Sequence, residues 1–600
     1  MQGVDELRAP PAATSRVMAL ASAGTVLTVL VTASIVVRYL FARAVEAPLV
    51  MPDELIYADL ARSIADGGLP SVRGVTTLAY GFLYPLLIAP AWILAPDGVT
   101  AYQVVKLINA VGISLSAVPA YFLARRFVSP RSALLVAGAT LAMPALAYAG
   151  LVFTENLFFP VFLLALLGIE RALASPTTGR QLGALALITL AVCARPQGVM
   201  LGAAYVASIF LGATLAPAGR RVEALKRFRA SLVLSAAVAG AVVLVGPLGL
   251  AGGQGLYSAY DGVAKAPGLP SLGLWAWITL AGIVLSAAVI PALAAAVVIG
   301  RGIRGVSALE RRYAILAAPL VASIVVMVTW FSAVVDVNGR ESLIERYFFY
   351  LGPVAFLGLA IWVECGLPRS RRVSIAAAVG VAMLVATIPV GRVDENVGFQ
   401  APSLIPWVLT GGGIVAACAL AVFASGLALL WLRTPEARVG RLWLAVIGVG
   451  LVLSTLAGLS SVAGAERSLE WGIGGDRAWI DRSVPPAAVV TVVWRETATR
   501  PGTTLRRHRV VWLNELLSDR VDRVVVLGAP MPYGLPEVPA TVVGADRRVV
   551  DAHGDDIDLS YVLASCDLGV RGVRVAVDAP RGVEVVRVAQ PLRLGRARRC

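Results

Sequence analysis

The chain has 600 residues, with 52 Lys plus Arg against 37 Asp plus Glu, a net charge of +15; 58% of its residues are hydrophobic and only 15% charged. Soluble proteins carry roughly a quarter charged residues, so a simple soluble globular enzyme, a disordered chain and a disulfide-rich scaffold are excluded, and a polytopic membrane protein remains. Two histidines, both late in the chain, leave no His-based zinc site in its first three-quarters.

Apolar stretches of about 20 residues, enough to cross a ~30 Å hydrocarbon core, recur as far as residue 462. They predict an α-helical bundle of about thirteen spans, at 17–37, 101–124, 132–149, 151–169, 181–194, 198–215, 231–250, 275–299, 313–335, 347–365, 373–390, 407–432 and 442–462. The first run is too long for a cleavable signal peptide and reads as a span. Gly81 to Ala95 is apolar but short and holds Pro85 and Pro90, so it reads as an interfacial or re-entrant helix.

Charge then orients the bundle. One set of loops is basic, with Arg125, Arg126 and Arg131, then Arg220 to Arg229, Arg301 to Arg312, Arg369 to Arg372 and Arg433 to Arg441. The intervening loops carry Asp53, Glu54, Asp59, Asp66, Asp336, Glu341, Glu345, Asp394 and Glu395. The positive-inside rule makes the basic set cytoplasmic, so the N-terminus is inside and residues 40–100 are outside. An odd number of spans puts the C-terminal region outside as well. The excess positive charge is thereby a topology signal in a lipid bilayer, and nothing in it calls for nucleic acid.

Residues 1–464 form the membrane domain on this reading. Residues 465–600 are charged, with proline turns at 484–486 and 529–532 and short β-branched runs at 488–493, 510–513, 524–527, 540–543, 573–577 and 583–588. They predict a separate extracytoplasmic domain, α/β or mostly β. Cys566 and Cys600 share that compartment, as a disulfide or as two free thiols, whereas Cys193, Cys365 and Cys418 sit in spans and read as packing residues.

Three outer-side stretches hold candidate chemistry. Met51-Pro52-Asp53-Glu54-Leu55-Ile56-Tyr57 opens a helix after the first span, with Pro52 suited to its first turn and Leu55, Ile56, Leu60 and Ala61 near one face. The macrodipole favours an ionised Asp53 there, available as a base or metal ligand, and Tyr57 lies one turn further on. The plainer reading is two acids decorating a helix N-terminus. Phe153-Thr154-Glu155-Asn156 opens the fourth span; a carboxylate so near hydrocarbon is costly unless it faces a cavity or partner, or else Thr154 simply caps the helix. Arg340-Glu341-Ser342-Leu343-Ile344-Glu345-Arg346-Tyr347 precedes the tenth span, with Arg346 at phosphate-headgroup depth, fit to bind phosphate through paired N–H donors or to pair with a neighbouring glutamate. Arg195, in Arg195-Pro196-Gln197-Gly198, is a further candidate, or a snorkelling arginine.

In their order and membrane side these motifs, with Leu60-Ala61-Arg62 and the Tyr80 to Pro85 stretch, resemble the GT-C superfamily of integral-membrane glycosyltransferases, closest to the PMT/ArnT-like group that uses sugars on polyprenyl phosphate. The resemblance covers roughly residues 1–365. It implies that Asp53 is the catalytic base, that Glu54 assists it, that Glu155 helps hold the acceptor, a divalent metal or the base, and that Arg346 with Arg195 binds the carrier phosphate; Tyr57 and Tyr347, in the same motifs, join the substrate-binding set. Two departures stand out: the acid after Thr154 is Glu where many relatives have Asp, and no histidine replaces the zinc-binding loop histidine of some relatives. A metal, if one takes part, needs oxygen ligands such as Asp53 and Glu155, hence Mg²⁺ or Mn²⁺.

The chemistry agrees with those residue types. A lipid phosphate leaves as a stabilised anion, so the site needs one carboxylate for the acceptor hydroxyl and fixed cations on the phosphate, without the acid that an ordinary glycosidase requires. The expectation is an inverting glycosyltransferase of the plasma membrane, moving a sugar from a polyprenyl-phosphate donor to a glycan, lipid or protein acceptor. The alternative is a multi-spanning transporter or flippase, which calls for ionisable residues near the midplane that the mostly apolar span interiors lack.

Overall fold

Long apolar runs become helices because hydrocarbon offers the backbone no other hydrogen-bond partner. The computed structural model describes residues 13–49, 53–77, 80–250, 268–334, 343–368, 371–388, 401–405, 413–495, 503–529 and 535–600. Met51, Pro52, Asp336, Arg340, Glu341, Ser342, Arg369, Asp394, Glu395, residues 530–532 and the predicted span ends at 335, 389–390 and 407–412 lie outside them.

Among the described residues, eight helices are long and apolar enough to cross a membrane, or nine if the bent pair Pro130–Ala142 and Pro144–Gly150 is one span. The expected thirteen is therefore corrected, because apolar length is not helix length. The run at 275–299 is two helices, Leu269–Ser286 and Ile290–Ile303. The break falls at Ala288 and Val289, whose φ values of 57° and 61° no helix contains. The run at 132–149 bends by 55° into a 3₁₀ segment. The run at 181–194 is a 17-residue helix, Thr178–Ala194, and that at 347–365 starts as 3₁₀ turns before the 13-residue helix Gly352–Glu364. Gly81 to Ala95 holds two short helices, Leu83–Ile88 and Pro90–Leu94, with Pro90 opening the second.

The C-terminal region is built on a seven-stranded sheet of order β6-β5-β4-β3-β7-β9-β8. The strands are β3 (Val490–Arg495), β4 (Val521–Leu527), β5 (Val538–Val543), β6 (Arg548–Asp551), β7 (Tyr561–Ser565), β8 (Gly572–Asp578) and β9 (Val583–Val588); β1 (Ser71–Val72) and β2 (Val75–Thr76) form a separate hairpin. Strands β3, β4, β5 and β7 run parallel, with Val492 opposite both Val524 and Leu563. The other three join antiparallel. The 510–513 run, expected as a strand, lies in the helix Thr503–Leu517; short apolar runs do not distinguish the two states. Cys566 and Cys600 form a disulfide, Cα–Cα 5.8 Å. The helix Gly440–Gly472 runs past residue 464, carrying the last membrane helix into this region.

The loop after the first helix is clamped to that region. The β1–β2 turn places Arg73 and Gly74 at φ 49° and 79°, the geometry of a two-residue hairpin that Gly tolerates and Arg resists. Arg73 is held there by a two-pronged, buried pair with Glu515, at 2.6 and 2.8 Å, and by a bond to Pro536 O at 3.0 Å. On the neighbouring helix Asp53–Ala65, Arg62 donates to Glu515 O at 3.2 Å and to Leu516 O. Removing one partner of a buried pair strands the other charge at a cost of about 3–5 kcal/mol. Arg73→Ala is thus expected to lower the unfolding midpoint of the detergent-purified protein strongly, while Arg593→Ala, which breaks the exposed pair with Asp546, shifts it by about 1 kcal/mol or less.

Candidate active site

Four charged side chains from four separate stretches converge on one cluster. Asp53 begins its helix, Glu155 begins the helix Glu155–Ala174, Arg195 joins two helices, and Arg346 sits in the 3₁₀ turn Glu345–Tyr347. Arg346 Nη1 donates to Asp53 Oδ2 at 2.5 Å across 293 positions of sequence. Its Nε lies 3.9 Å from Glu155 Oε1, and Arg195 pairs with that same carboxylate. Arg195 and Glu155 are almost wholly buried, whereas Asp53 keeps 30% of its side chain exposed and is the group that solvent or a substrate reaches.

Aromatic faces hold the cations in place. The Arg346 guanidinium lies over Phe153 and Tyr347, at 5.2 and 5.3 Å, and Arg195 lies over Tyr347 at 5.0 Å. Burial opposes the charge on Arg346, but Asp53, Tyr347 and Glu155 outweigh it, so its proton is held well above the ordinary arginine range. Arg195 Nε also donates to Gln197 Oε1 at 2.7 Å.

The remaining motif residues build the frame. Glu54 points away from Asp53: its oxygens accept from Leu49 N at 2.7 Å, Val152 N at 3.0 Å and Tyr102 OH at 3.2 Å. It ties the start of the loop to the approach to Glu155, and its position is that of a positioning residue. Tyr57 packs edge-on against Tyr84, centroids 5.7 Å apart. Tyr84 OH donates to Asn109 Oδ1, and Asn109 and Asn156 both donate to Leu151 O. Thr154 does not cap its helix; its hydroxyl donates to Glu155 Oε2 at 3.2 Å. Gly81, at φ +77°, lies where a Cβ would sit 3.0 Å from Cys193 O, so its lack of a side chain lets the first loop reach the segment carrying Arg195.

Two residues escaped the sequence reading. Tyr148 and Tyr350 are buried in the field of Glu155, Arg195 and Arg346, and neither hydroxyl has a hydrogen-bond partner among the described residues. Such a hydroxyl costs about 1–3 kcal/mol and marks a place for a polar ligand. Tyr350 lies three positions beyond Tyr347 and was open to inference on spacing; Tyr148 lies in an apolar run and gave no signal.

A divalent metal does not fit Asp53 and Glu155 as they stand. Arg346 reaches both carboxylates and takes the place of a cation. No group of three or more ligand-type side chains suited to a metal occurs among the described residues.

No protein-family model and no curated protein matches the chain. Among solved structures, the apo ArnT of Cupriavidus metallidurans aligns at 16% identity and a TM-score of 0.48, over 94% of this chain and 98% of that one. The same protein bound to undecaprenyl phosphate aligns at 17% and 0.49, over 96% and 98%. The apo Archaeoglobus fulgidus oligosaccharyltransferase aligns at 14% and 0.43, over 90% and 70%.

Next to Arg346, Glu345 is 2% exposed, and burial pushes its carboxyl up to about 7 against the pull of Ser403, whose N–H and hydroxyl donate to it at 2.9 and 2.7 Å. The folded chain therefore holds this proton more tightly than the unfolded chain. The stabilisation is complete below about pH 4.3 and is lost as the pH rises to about 7. The unfolding midpoint is expected to fall more steeply over that window in the wild type than in Glu345→Gln; parallel curves refute the assignment.

Proposed function

We propose that the chain is an inverting glycosyltransferase of the plasma membrane that takes a sugar from a polyprenyl-phosphate donor and passes it, on the extracytoplasmic face, to a glycan, lipid or protein acceptor of the cell envelope. The observation that carries this reading is the Asp53–Arg346 pair, which puts one accessible carboxylate against a fixed cation at the mouth of a buried charge cluster. The unpartnered hydroxyls of Tyr148 and Tyr350 and the motif resemblance support it.

In the proposed reaction the donor phosphate takes over Arg346, with Arg195 behind it, and Asp53 is released from its counter-charge. Asp53 accepts the proton of the acceptor hydroxyl as that oxygen attacks the anomeric carbon. The bond from that carbon to the phosphate oxygen breaks on the opposite face, and its electron pair leaves with the phosphate, whose added charge rests on the guanidinium. One displacement inverts the anomeric centre. Glu155 balances the two arginines, and Glu54 holds the Asp53 helix.

Membranes containing the protein are expected to transfer label from a radiolabelled polyprenyl-phosphate sugar. Asp53→Asn loses about 10²–10⁴-fold in rate and Arg346→Ala about 10²–10³-fold, while Tyr350→Phe loses about tenfold, the worth of one hydrogen bond to a charged group. Intact transfer in both Asp53→Asn and Arg346→Ala overturns the site, and substrate flux in proteoliposomes without covalent transfer overturns the activity in favour of a transporter.

A further inference from the structure

A cavity lies among the membrane helices, away from the charge cluster. The helices Ala13–Ala44, Pro130–Ala142 and Gly440–Gly472, with the 3₁₀ segment Pro144–Gly150, enclose about 700 Å³. Neither Asp53, Glu155, Arg195 nor Arg346 lines it. Val26 and Val45 both do, and they stand about 28 Å apart along the helix axis at ~1.5 Å per residue, close to the ~30 Å depth of the hydrocarbon core. Spread over that length, and with the radius of a water-sized occupant added on each side, the volume gives a channel about 8–9 Å wide between its walls. A helix is about 10–12 Å across, so the channel is narrower than a helix and suits a hydrocarbon chain.

Its chemistry is equally selective. The hydroxyls on the Gly440–Gly472 wall are spent on backbone carbonyls: Ser454 on Ala142 and Met143, Thr455 on Leu451, Ser461 on Ala457. Within this apolar surface stand the exposed Arg131, at the start of the Pro130–Ala142 helix, and Arg38. Arg38 Nε donates to Ser34 Oγ at 3.2 Å and its Nη2 to Leu141 O at 2.6 Å. Nη1 has no hydrogen-bond partner, and no carboxylate pairs with Arg38, among the described residues. The carbonyl end of a helix supplies only about half a negative charge, and an intramembrane guanidinium without a full counter-charge is expensive. Arg38 lies about 9 Å below the helix end at Ala44, within snorkelling distance of the headgroups on the Asp53 side.

We propose that this groove binds an anionic phospholipid of the leaflet on the Asp53 side, with one acyl chain in the channel and its phosphate on Arg38. The site is separate from the proposed carrier-phosphate site and gives the protein a second, non-reacting lipid.

The test is native mass spectrometry of the full-length, delipidated protein titrated with phosphatidylglycerol or with diacylglycerol of the same chains. Wild type is expected to prefer phosphatidylglycerol. Arg38→Gln should weaken phosphatidylglycerol by about tenfold, the loss of one charge-assisted contact, and erase the preference, while Arg38→Lys keeps part of it. Ala33→Phe, which fills the channel from an exposed wall position, should weaken both lipids and decides the matter if Arg38→Gln does not fold. An unchanged preference in Arg38→Gln, unchanged binding in Ala33→Phe, or displacement of phosphatidylglycerol by inorganic phosphate at equal concentration overturns the proposal. None of these readouts involves sugar transfer, so the lipid site and the proposed activity fail independently.

Discussion

Charge neutrality in a poorly solvated cluster is the constraint on which the loops around Asp53, Glu155, Arg195 and Arg346 depend. Arg195 and Arg346 are both buried, and each meets a carboxylate: Arg195 pairs with Glu155, and Arg346 with Asp53 while its Nε approaches Glu155. Any one of these charges alone would face a desolvation penalty of several kcal/mol. Together they are tolerable only if four stretches of chain, separated by many helices, arrive at one place. The pairs therefore do two things at once: they specify how the outer loops fold onto the bundle, and they leave a balanced set of charges that an incoming anion is able to rearrange.

Such a cluster works only if its carriers are held still, and the loop after the first helix is held from three directions. Glu54 accepts two backbone N–H groups and a tyrosine hydroxyl from beneath. Gly81 presses against the carbonyls of Cys193 and Ala194. Arg73, kept at positive φ by Glu515, and Arg62, bonded to the carbonyl end of the Thr503–Leu517 helix, fasten the loop to the C-terminal region. The adjacent acids Asp53 and Glu54 thus divide their work by direction: one faces the cluster and partial solvent, the other is sealed into the scaffold.

What the sequence disclosed follows the same physics. An acid or an arginine beside hydrocarbon is conspicuous because it is costly, so Asp53, Glu155, Arg195 and Arg346 stood out before any coordinates did. Membrane character was equally plain in the apolar runs. Helix count was not, because apolar length was counted across a break: in the run 275–299 Ala288 and Val289 take positive φ just before Pro291, which lies in the first turn of the next helix and was the one signal of the interruption. The Val510 to Leu513 run sits in a helix buried on every side from Val510 to Leu517, so no polar face marks its period. Tyr148 was silent for a related reason, since a tyrosine among apolar residues looks like core until the absence of a partner for its hydroxyl is seen in three dimensions.

The counter-ion arrangement also bears on the order of events in the proposed reaction. While Asp53 neutralises Arg346, moving a proton onto it would leave the guanidinium without its counter-charge in a buried site. A phosphate arriving at Arg346 supplies the replacement charge, and only then does protonation of Asp53 leave the cluster balanced. In the proposed reaction the acceptor is therefore activated after the donor is seated. Arginine suits this role better than a metal ligated by Asp53: its charge does not titrate in the working range, and it gives up a carboxylate by exchanging hydrogen bonds, without breaking a coordination shell.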